Sequence, residues 1–487
     1  MNAKSLVIFV FAAFALIIFP ISILLHTHLY ADGAYLFARM LESGTFDAAA
    51  HSQARVGHHF VTQFPVIVAN KCGMSNLRHL SYIYGIAQYY LPWCLYLLAC
   101  MLFLRANMLC HAVLLALMYC MLMCFTCWFI NSESHLAVSL FAVTLAVIST
   151  GDLRRRADLT ILALLWLLSL SCYEFWALYF LASLGLLVLQ YTRRQVTLAV
   201  LTAFALLYVI GSGVNTYAIM FTRDVANRDN MFGRQFFQVC PQILAVSILF
   251  LVFILGTLGS MLLEHTGSQV SSRLKRCVAL VLRGVDSSAF LVLVGLASVA
   301  GGEAVTFNRF ARAKDAYILR SLNLFLPLMF AIFLDSTTGR PIDDRACSFK
   351  PPKALLSGLV AILFVTVCAW YHHAAEFRIF KRQVFAATQH NVGYVPLHSA
   401  LSDQQNYQNY GWPTMYPTLS LLLQSMQGTS IRSVIYNPNA TWQPFGPSDT
   451  AHAQRFAVRL GVRIENGGLQ ADNLPEDTAR KPAEPQR

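Results

Sequence analysis

Residues 4–26 read KSLVIFVFAAFALIIFPISILLH, with Lys4 at one end, His26 at the other and no charge between. As a helix this run is about 34 Å long at 1.5 Å per residue, enough to cross the roughly 30 Å hydrocarbon core of a bilayer. Similar runs recur to about residue 372, separated by short arginine-rich loops. A soluble domain buries one or two such helices, not about ten with so few charges between them, so the expected class is an integral membrane protein.

Composition points the same way. Of 487 residues, 56% are hydrophobic and only 12% charged, with a mean hydropathy of +0.53. The formal charge of +12 is spread over loops with no basic patch interleaved by aromatics. It therefore fits positive-inside topology and contacts to anionic lipid or phosphate, and no nucleic-acid partner is expected. Ten of the 12 cysteines lie in or near apolar runs, with Cys72 and Cys347 in loops, which reads as small hydrophobes in helices. Cys120, Cys124 and Cys127 have helical spacing but no acid or histidine among them, so packing is favoured over metal binding. The N-terminal run is too long for a cleaved signal and lacks a small-residue cleavage site, so it reads as a retained signal-anchor.

Arg105, Arg154 to Arg156, Arg193, Arg194, Arg273, Lys275, Arg276, Arg340, Arg345, Lys350 and Lys353 can all be cytoplasmic in one topology. It needs spans near 4–26, 82–104, 107–129, 134–150, 159–172, 174–190, 196–214, 238–262, 280–300, 317–335 and 354–372. The fold expected is thus all-α and polytopic, with about eleven transmembrane helices, a cytoplasmic N terminus and a C terminus on the far side. The run 159–190 has arginine at both ends. It is either one long tilted helix, which reverses every later span, or two short ones turning near Ser171-Cys172-Tyr173-Glu174, which keeps the basic loops inside. A turn at that depth survives only when buried among other helices.

Residues 1–373 form the membrane domain, within which 27–81 is a long first outer loop. Its segment Ala34–Leu41 is amphipathic, so surface helices are expected there. Residues 374–465 turn polar and make a small extracytoplasmic domain opening with a helix at 374–388. Residues 466–487 hold too few apolar side chains to repay ordering. There is no internal repeat of the kind that transporters built from inverted halves show.

Chemistry is expected on the outer side. Asp32, in His28-Leu29-Tyr30-Ala31-Asp32-Gly33-Ala34-Tyr35, follows the first span. A carboxylate partly desolvated at that depth gains basicity, and Gly33 permits close approach of backbone or substrate. The plainer role for Asp32 is to cap the helix beginning near Ala34. The same side carries His58, His59, Glu133, His135, Glu174 and Glu303, with Arg223, Arg228, Arg234, Arg309, Arg312, Lys314 and Arg320. Arginines where the positive-inside trend should remove them call for anions, through charge-assisted and bidentate bonds. Lipid headgroups, or Asp224, Asp229 and Asp315, also satisfy them one by one. Adjacent His58 and His59 diverge on a helix, and no zinc motif is present. A divalent metal held by Asp32 with Glu133 or Glu174 stays open, and no other cofactor is expected. Walker and Rossmann glycine motifs are absent, which disfavours ATP-driven and nicotinamide chemistry.

The first helix leading into a long outer loop with Asp32 near its start, about eleven spans, later outer-loop basic residues and a C-terminal extracytoplasmic domain resemble the polytopic GT-C superfamily of glycosyltransferases. The paired acid of some members is absent, since His28-Leu29-Tyr30-Ala31 precede Asp32. The resemblance implies inverting transfer of a glycosyl group from a polyprenyl-phosphate sugar to a glycan, lipid or protein acceptor, on the periplasmic face of a bacterial inner membrane. It casts Asp32 as the base and Arg309, Arg312 and Arg320 as phosphate ligands. Tyr30, Tyr35, His58, His59, Glu133 and Glu174 would bind sugar or acceptor. The alternatives are an O-antigen ligase or polymerase, which would concentrate its key residues in a large late loop, and a transporter or flippase of an anionic lipid-linked substrate, which makes no bond.

Overall fold

The structure, a computed structural model, describes residues 2–29, 32–46, 55–126, 133–173, 176–192, 196–220, 353–400, 416–438, 443, 445–459 and 462–464, together with Pro327. The expected spans at 238–262 and 280–300, that at 317–335 apart from Pro327, and the tail 466–487 lie outside these residues.

The first helix runs from Ala3 to Leu24. Asn2 caps it, its side-chain oxygen accepting from the Ser5 N–H at 2.8 Å. Pro20 has no N–H to offer the Leu16 carbonyl, and its ring would crowd that turn. The rod answers by widening into a π segment over Phe14–Ile18, so α1 (Ala3–Ala13) and α2 (Phe19–Leu24) are one rod with a local change of pitch. It ends at His26, whose φ of +56° is left-handed.

A single-turn helix at Thr27–Leu29 leads to α3 (Asp32–Ser43), α4 (Val56–Lys71), α5 (Leu77–Arg105), α6 (Leu109–Thr126), α7 (Glu133–Thr150), α8 (Arg156–Ser169), α9 (Trp176–Thr192) and α10 (Leu198–Met220). Later come α11 (Lys353–His390), β1 (Gly393–Pro396), the one-turn α12 (Leu397–Ala400), α13 (Tyr416–Met426), β2 (Ser433–Tyr436) and α14 (Thr450–Arg459). The class is all-α, with β1 and β2 as one small parallel pair, Gly393 opposite Ser433.

Among the described residues three helices, Ala3–Leu24, Leu77–Arg105 and Leu198–Tyr217, are long and apolar enough to cross a membrane, and shorter apolar helices stand beside them. Outward-facing side chains agree. Ile8, Phe9, Leu16 and Ile17, Leu164, Leu167 and Leu168, and Leu206, Val209 and Ile210 are exposed on their helices, whereas the described side chains of α6 and α7 are buried almost all round. Apolar surface of that extent is untenable in water and is at home in lipid. The chain is a membrane-associated protein.

The run 159–190 is two helices. Trp166 Nε1 donates to the Leu207 carbonyl and Asn215 Nδ2 to that of Leu170, so α8 and α10 run in the same sense. Asn215 also reaches the Tyr173 carbonyl, and Phe180 lies against Gly211 further back along α10, so α9 runs in the opposite sense. The chain therefore reverses between α8 and α9.

The described residues form two apolar cores. One joins the first helix with α5 to α11. The other is shared between the segment after the first helix and the C-terminal segment, with Leu36, Phe37 and Leu41 packed in one cluster with Leu421, Leu422 and Phe456. The expected surface segment Ala34–Leu41 is thus buried at every position but Arg39, because α13 and α14 cover it. Nor does a helix begin at 374, since α11 runs unbroken through that point for 38 residues.

Candidate functional site

Asp32 opens α3 directly after the turn that ends the first helix. The turn is tight: a Cβ on Gly33 would stand 1.9 Å from the His28 carbonyl oxygen, so only glycine fits there. The side chain of Asp32, like Tyr30, lies outside the described residues.

What holds this turn is a polar knot that sequence reasoning did not find. Ser81 Oγ, on α5, lies 3.0 Å from His26 Nδ1 and 2.9 Å from His28 Nε2. One hydroxyl proton serves one ring, so the other imidazole donates its N–H to the oxygen. The His26 ring stacks on Tyr82 with centroids 5.1 Å apart, and the His28 ring fills the space over Gly85, where a Cβ would stand 2.6 Å from Nδ1. Thr27 Oγ1 and Tyr89 OH are 2.7 Å apart, and Trp370 Nε1 donates to Ser22 Oγ at 2.8 Å.

Lys381 of α11 completes the knot. Its ammonium donates to the Leu25 carbonyl, at the negative end of the first helix, and lies 5.2 Å over the Phe377 ring. Burial, and then the Arg378 charge, pulls the lysine down to about 7. Burial, and then Lys381 and Arg78, pulls His26 down to about 3, and burial with His26 and Lys381 pulls His28 well below its ordinary value. Both imidazoles are neutral at physiological pH. The signal that could have exposed this cluster is Arg378-Lys381-Arg382, a basic face at helical spacing just beyond an apolar run.

A second polar cluster forms where α4 meets the turn after α8. The Gly57 N–H donates to the Ser171 carbonyl at 2.7 Å, and the Arg55 guanidinium lies 5.0 Å over the Tyr173 ring. His58, His59, Thr62 and Gln63 are buried on this helix while Phe60, Phe64 and Val68 face outward. The structure thus brings Arg55 and Gly57, next to His58 and His59 in sequence, to the turn before Glu174, itself outside the described residues. Glu133 opens α7, which also packs on α4, and its side chain is not among those described.

Tyr35 is buried in the core under α13 and α14. Arg309, Arg312 and Arg320 lie outside the described residues. Among the described residues no three His, Cys, Asp or Glu side chains are grouped to hold a metal ion.

Behind α3, Glu42 ties the C-terminal segment down. Its Oε2 takes Arg39 Nη1 at 2.6 Å, its Oε1 lies 2.6 Å from His452 Nδ1 and takes Arg455 Nε at 3.0 Å, and its carbonyl takes Arg459 Nη1 at 2.6 Å. No family model matches the chain, and no curated protein or solved structure matches it either.

Proposed function

We propose that this chain is a membrane glycosyltransferase of GT-C type, moving a glycosyl group from a polyprenyl-phosphate sugar to an acceptor on the periplasmic face of a bacterial inner membrane. The N terminus is cytoplasmic in this reading and the C-terminal segment periplasmic. The observation that carries it is the seat of Asp32. The acid begins a helix immediately beyond a membrane-length rod, and the turn before it is gripped by Ser81 and packed so closely that only glycine fits at 33.

Such rigidity suits a base that must meet an acceptor hydroxyl at hydrogen-bond distance. Asp32 takes the hydroxyl proton as the acceptor oxygen attacks the anomeric carbon. The bond from that carbon to the phosphate oxygen breaks, the phosphate leaves with the electron pair, and the configuration inverts. Phosphate departs without a strong general acid, and Arg309, Arg312 or Arg320 offsets its growing charge. Helix α4 suits an interfacial position, with apolar Phe60, Phe64 and Val68 outward to lipid and polar His58, His59 and Gln63 inward toward sugar or acceptor.

The test is transfer of labelled sugar from a panel of polyprenyl-phosphate donors by purified protein in lipid, comparing wild type with Asp32→Asn. Turnover by wild type that collapses in the variant, with donor binding retained, supports the reading. Donor binding without turnover, unchanged in the variant, replaces it with lipid transport and leaves Asp32 a helix cap.

A further inference from the structure

The C-terminal end of the first helix gathers cations without a described counter-charge. Lys381 donates to the Leu25 carbonyl, one residue before His26, the His26 ring stacks on Tyr82, and Arg78 stands one turn before Tyr82 on α5. On α11, Arg378, Lys381 and Arg382 fall at i, i+3 and i+4 and share a face, with the two arginines exposed. Helix α5 opens with exposed Arg78 and His79, so the positive end of its dipole adds to theirs. Like charges brought together around a buried ammonium raise the energy of the empty site, and an anion lowers it.

The depth of the cluster says which anion. Trp370, bonded to Ser22, and Tyr371, 71% exposed, stand on α11 between its apolar stretch Leu355–Cys368 and Lys381. Tryptophan and tyrosine collect at the headgroup boundary of a bilayer. Leu25, which Lys381 grips, is about 4.5 Å further along the first helix than Ser22. The basic cluster therefore begins where the phosphates of lipid headgroups lie. Arg78 is free to turn toward one, since its present bonds, to the Met426 carbonyl at 3.3 Å and Gln427 Oε1 at 3.4 Å, are long.

We propose that Lys381, Arg78 and His26 frame a binding site for the phosphate of a lipid at the end of the first helix. Lys381 supplies a desolvated ammonium, Arg78 a bidentate guanidinium, and His26 a ring N–H. The site rests on the membrane reading and not on glycosyl transfer, so it stands if no sugar is ever moved. The phosphate can belong to a polyprenyl-phosphate donor or to a bilayer phospholipid.

The test is binding to the full-length, delipidated protein in neutral detergent, read by native mass spectrometry. The probes are a polyprenyl phosphate, phosphatidylglycerol, and their phosphate-free counterparts polyprenol and diacylglycerol. Both phosphate lipids are expected to outbind their counterparts at least tenfold. That margin should vanish in Lys381→Met, narrow in Arg78→Gln and persist in Lys381→Arg. Preference for the polyprenyl phosphate assigns the site to a donor, equal binding assigns it to bulk lipid, and either supports it. Phosphate-free lipids binding as well as the others overturn it, as does an unchanged margin in a folded Lys381→Met. Since that variant also uncaps Leu25, a preparation that is not monodisperse passes the decision to Arg78→Gln, where an unchanged margin overturns the proposal.

Discussion

The Gly57 N–H and the Ser171 carbonyl, 2.7 Å apart, bind a helix of the first loop to the reversal between α8 and α9. A turn inside an apolar bundle leaves carbonyls that no water can reach, and each one unsatisfied costs several kcal/mol in hydrocarbon, on the order of a lost structural contact. Here Gly57 takes the Ser171 carbonyl, and Asn215 Nδ2 takes those of Leu170 and Tyr173 at 3.4 and 3.2 Å. The reversal is affordable because two other elements of the chain supply its donors.

Gly57→Ala should therefore destabilise. Its Cβ would meet Ser171 Oγ at 2.9 Å and the Ser171 carbonyl oxygen at 3.0 Å, prising α4 from the turn. Asn215→Leu should cost about 1–3 kcal/mol by removing the side-chain donor from the Leu170 carbonyl and leaving that of Tyr173 with the Trp176 N–H alone. Gly213→Ala is the control, with nothing within 4 Å of the added carbon, and should be neutral or gain up to about 1 kcal/mol of helix propensity. Thermal unfolding midpoints in detergent rank the three, and a Gly57→Ala midpoint equal to that of Gly213→Ala would refute the account.

The position of that reversal was legible in the sequence. Polar Ser171 and Glu174 interrupt an apolar run with arginine at both ends, and of the two alternatives left open the pair of short helices is the one that keeps the later basic loops inside. The knot at Ser81 was not legible, because its partners lie 55 and 53 residues away and no local period links them. Ala34–Leu41 misled for a related reason. Its amphipathic pattern gives a helix correctly, but Tyr416–Met426 and Thr450–Arg459, which cover it, are nearly four hundred residues downstream. Asp32 and Gly33 were legible as a pair, yet the cause of the glycine, the His28 carbonyl, needs the fold.

Gly33→Ala tests whether that turn sets the acid. The obstruction is backbone, which cannot swing aside, so the start of α3 must move. Displacing a reacting group by about 1 Å costs on the order of a hundredfold in rate. Sugar transfer should fall by roughly that factor with donor binding retained. Activity within twofold of wild type would detach Asp32 from the chemistry.

Acid should weaken the same turn. His26 titrates at about 3 in the folded chain against 6.5 unfolded, so between those values the unfolded chain holds the extra proton. Stability is unaffected above pH 6.5 and falls as pH drops toward 3, by up to about 1.4 kcal/mol per pH unit. His26→Asn keeps a side-chain amide near Ser81 and tolerates the left-handed φ of +56°. Unfolding curves from pH 8 to 4 should be shallower with pH for the variant, and parallel curves would show that His26 does not carry the dependence.

Glu42 works in the opposite electrostatic sense. Burial pushes its carboxyl upward, but hydrogen bonds from Arg455 and His452 and the charge of Arg39 outweigh that and hold it below 4.5. A carboxylate lowered on folding contributes stability that is full above its unfolded value and lost as pH falls through the folded one. Glu42→Gln keeps the shape and removes the charge that gathers Arg39 of α3 and Arg455 of α14, while Arg459 keeps its bond to the backbone carbonyl at position 42. At pH 8 the variant should let trypsin cut after Arg455 several times faster than in wild type, because that side chain loses the carboxylate that holds it on α3. Its midpoint should lie below that of wild type above pH 4.5, and the gap should close on further acidification as the wild-type carboxylate also loses its charge. Equal digestion and a gap that ignores pH would mean that apolar packing of Phe456 and Leu421 alone holds the C-terminal segment in place.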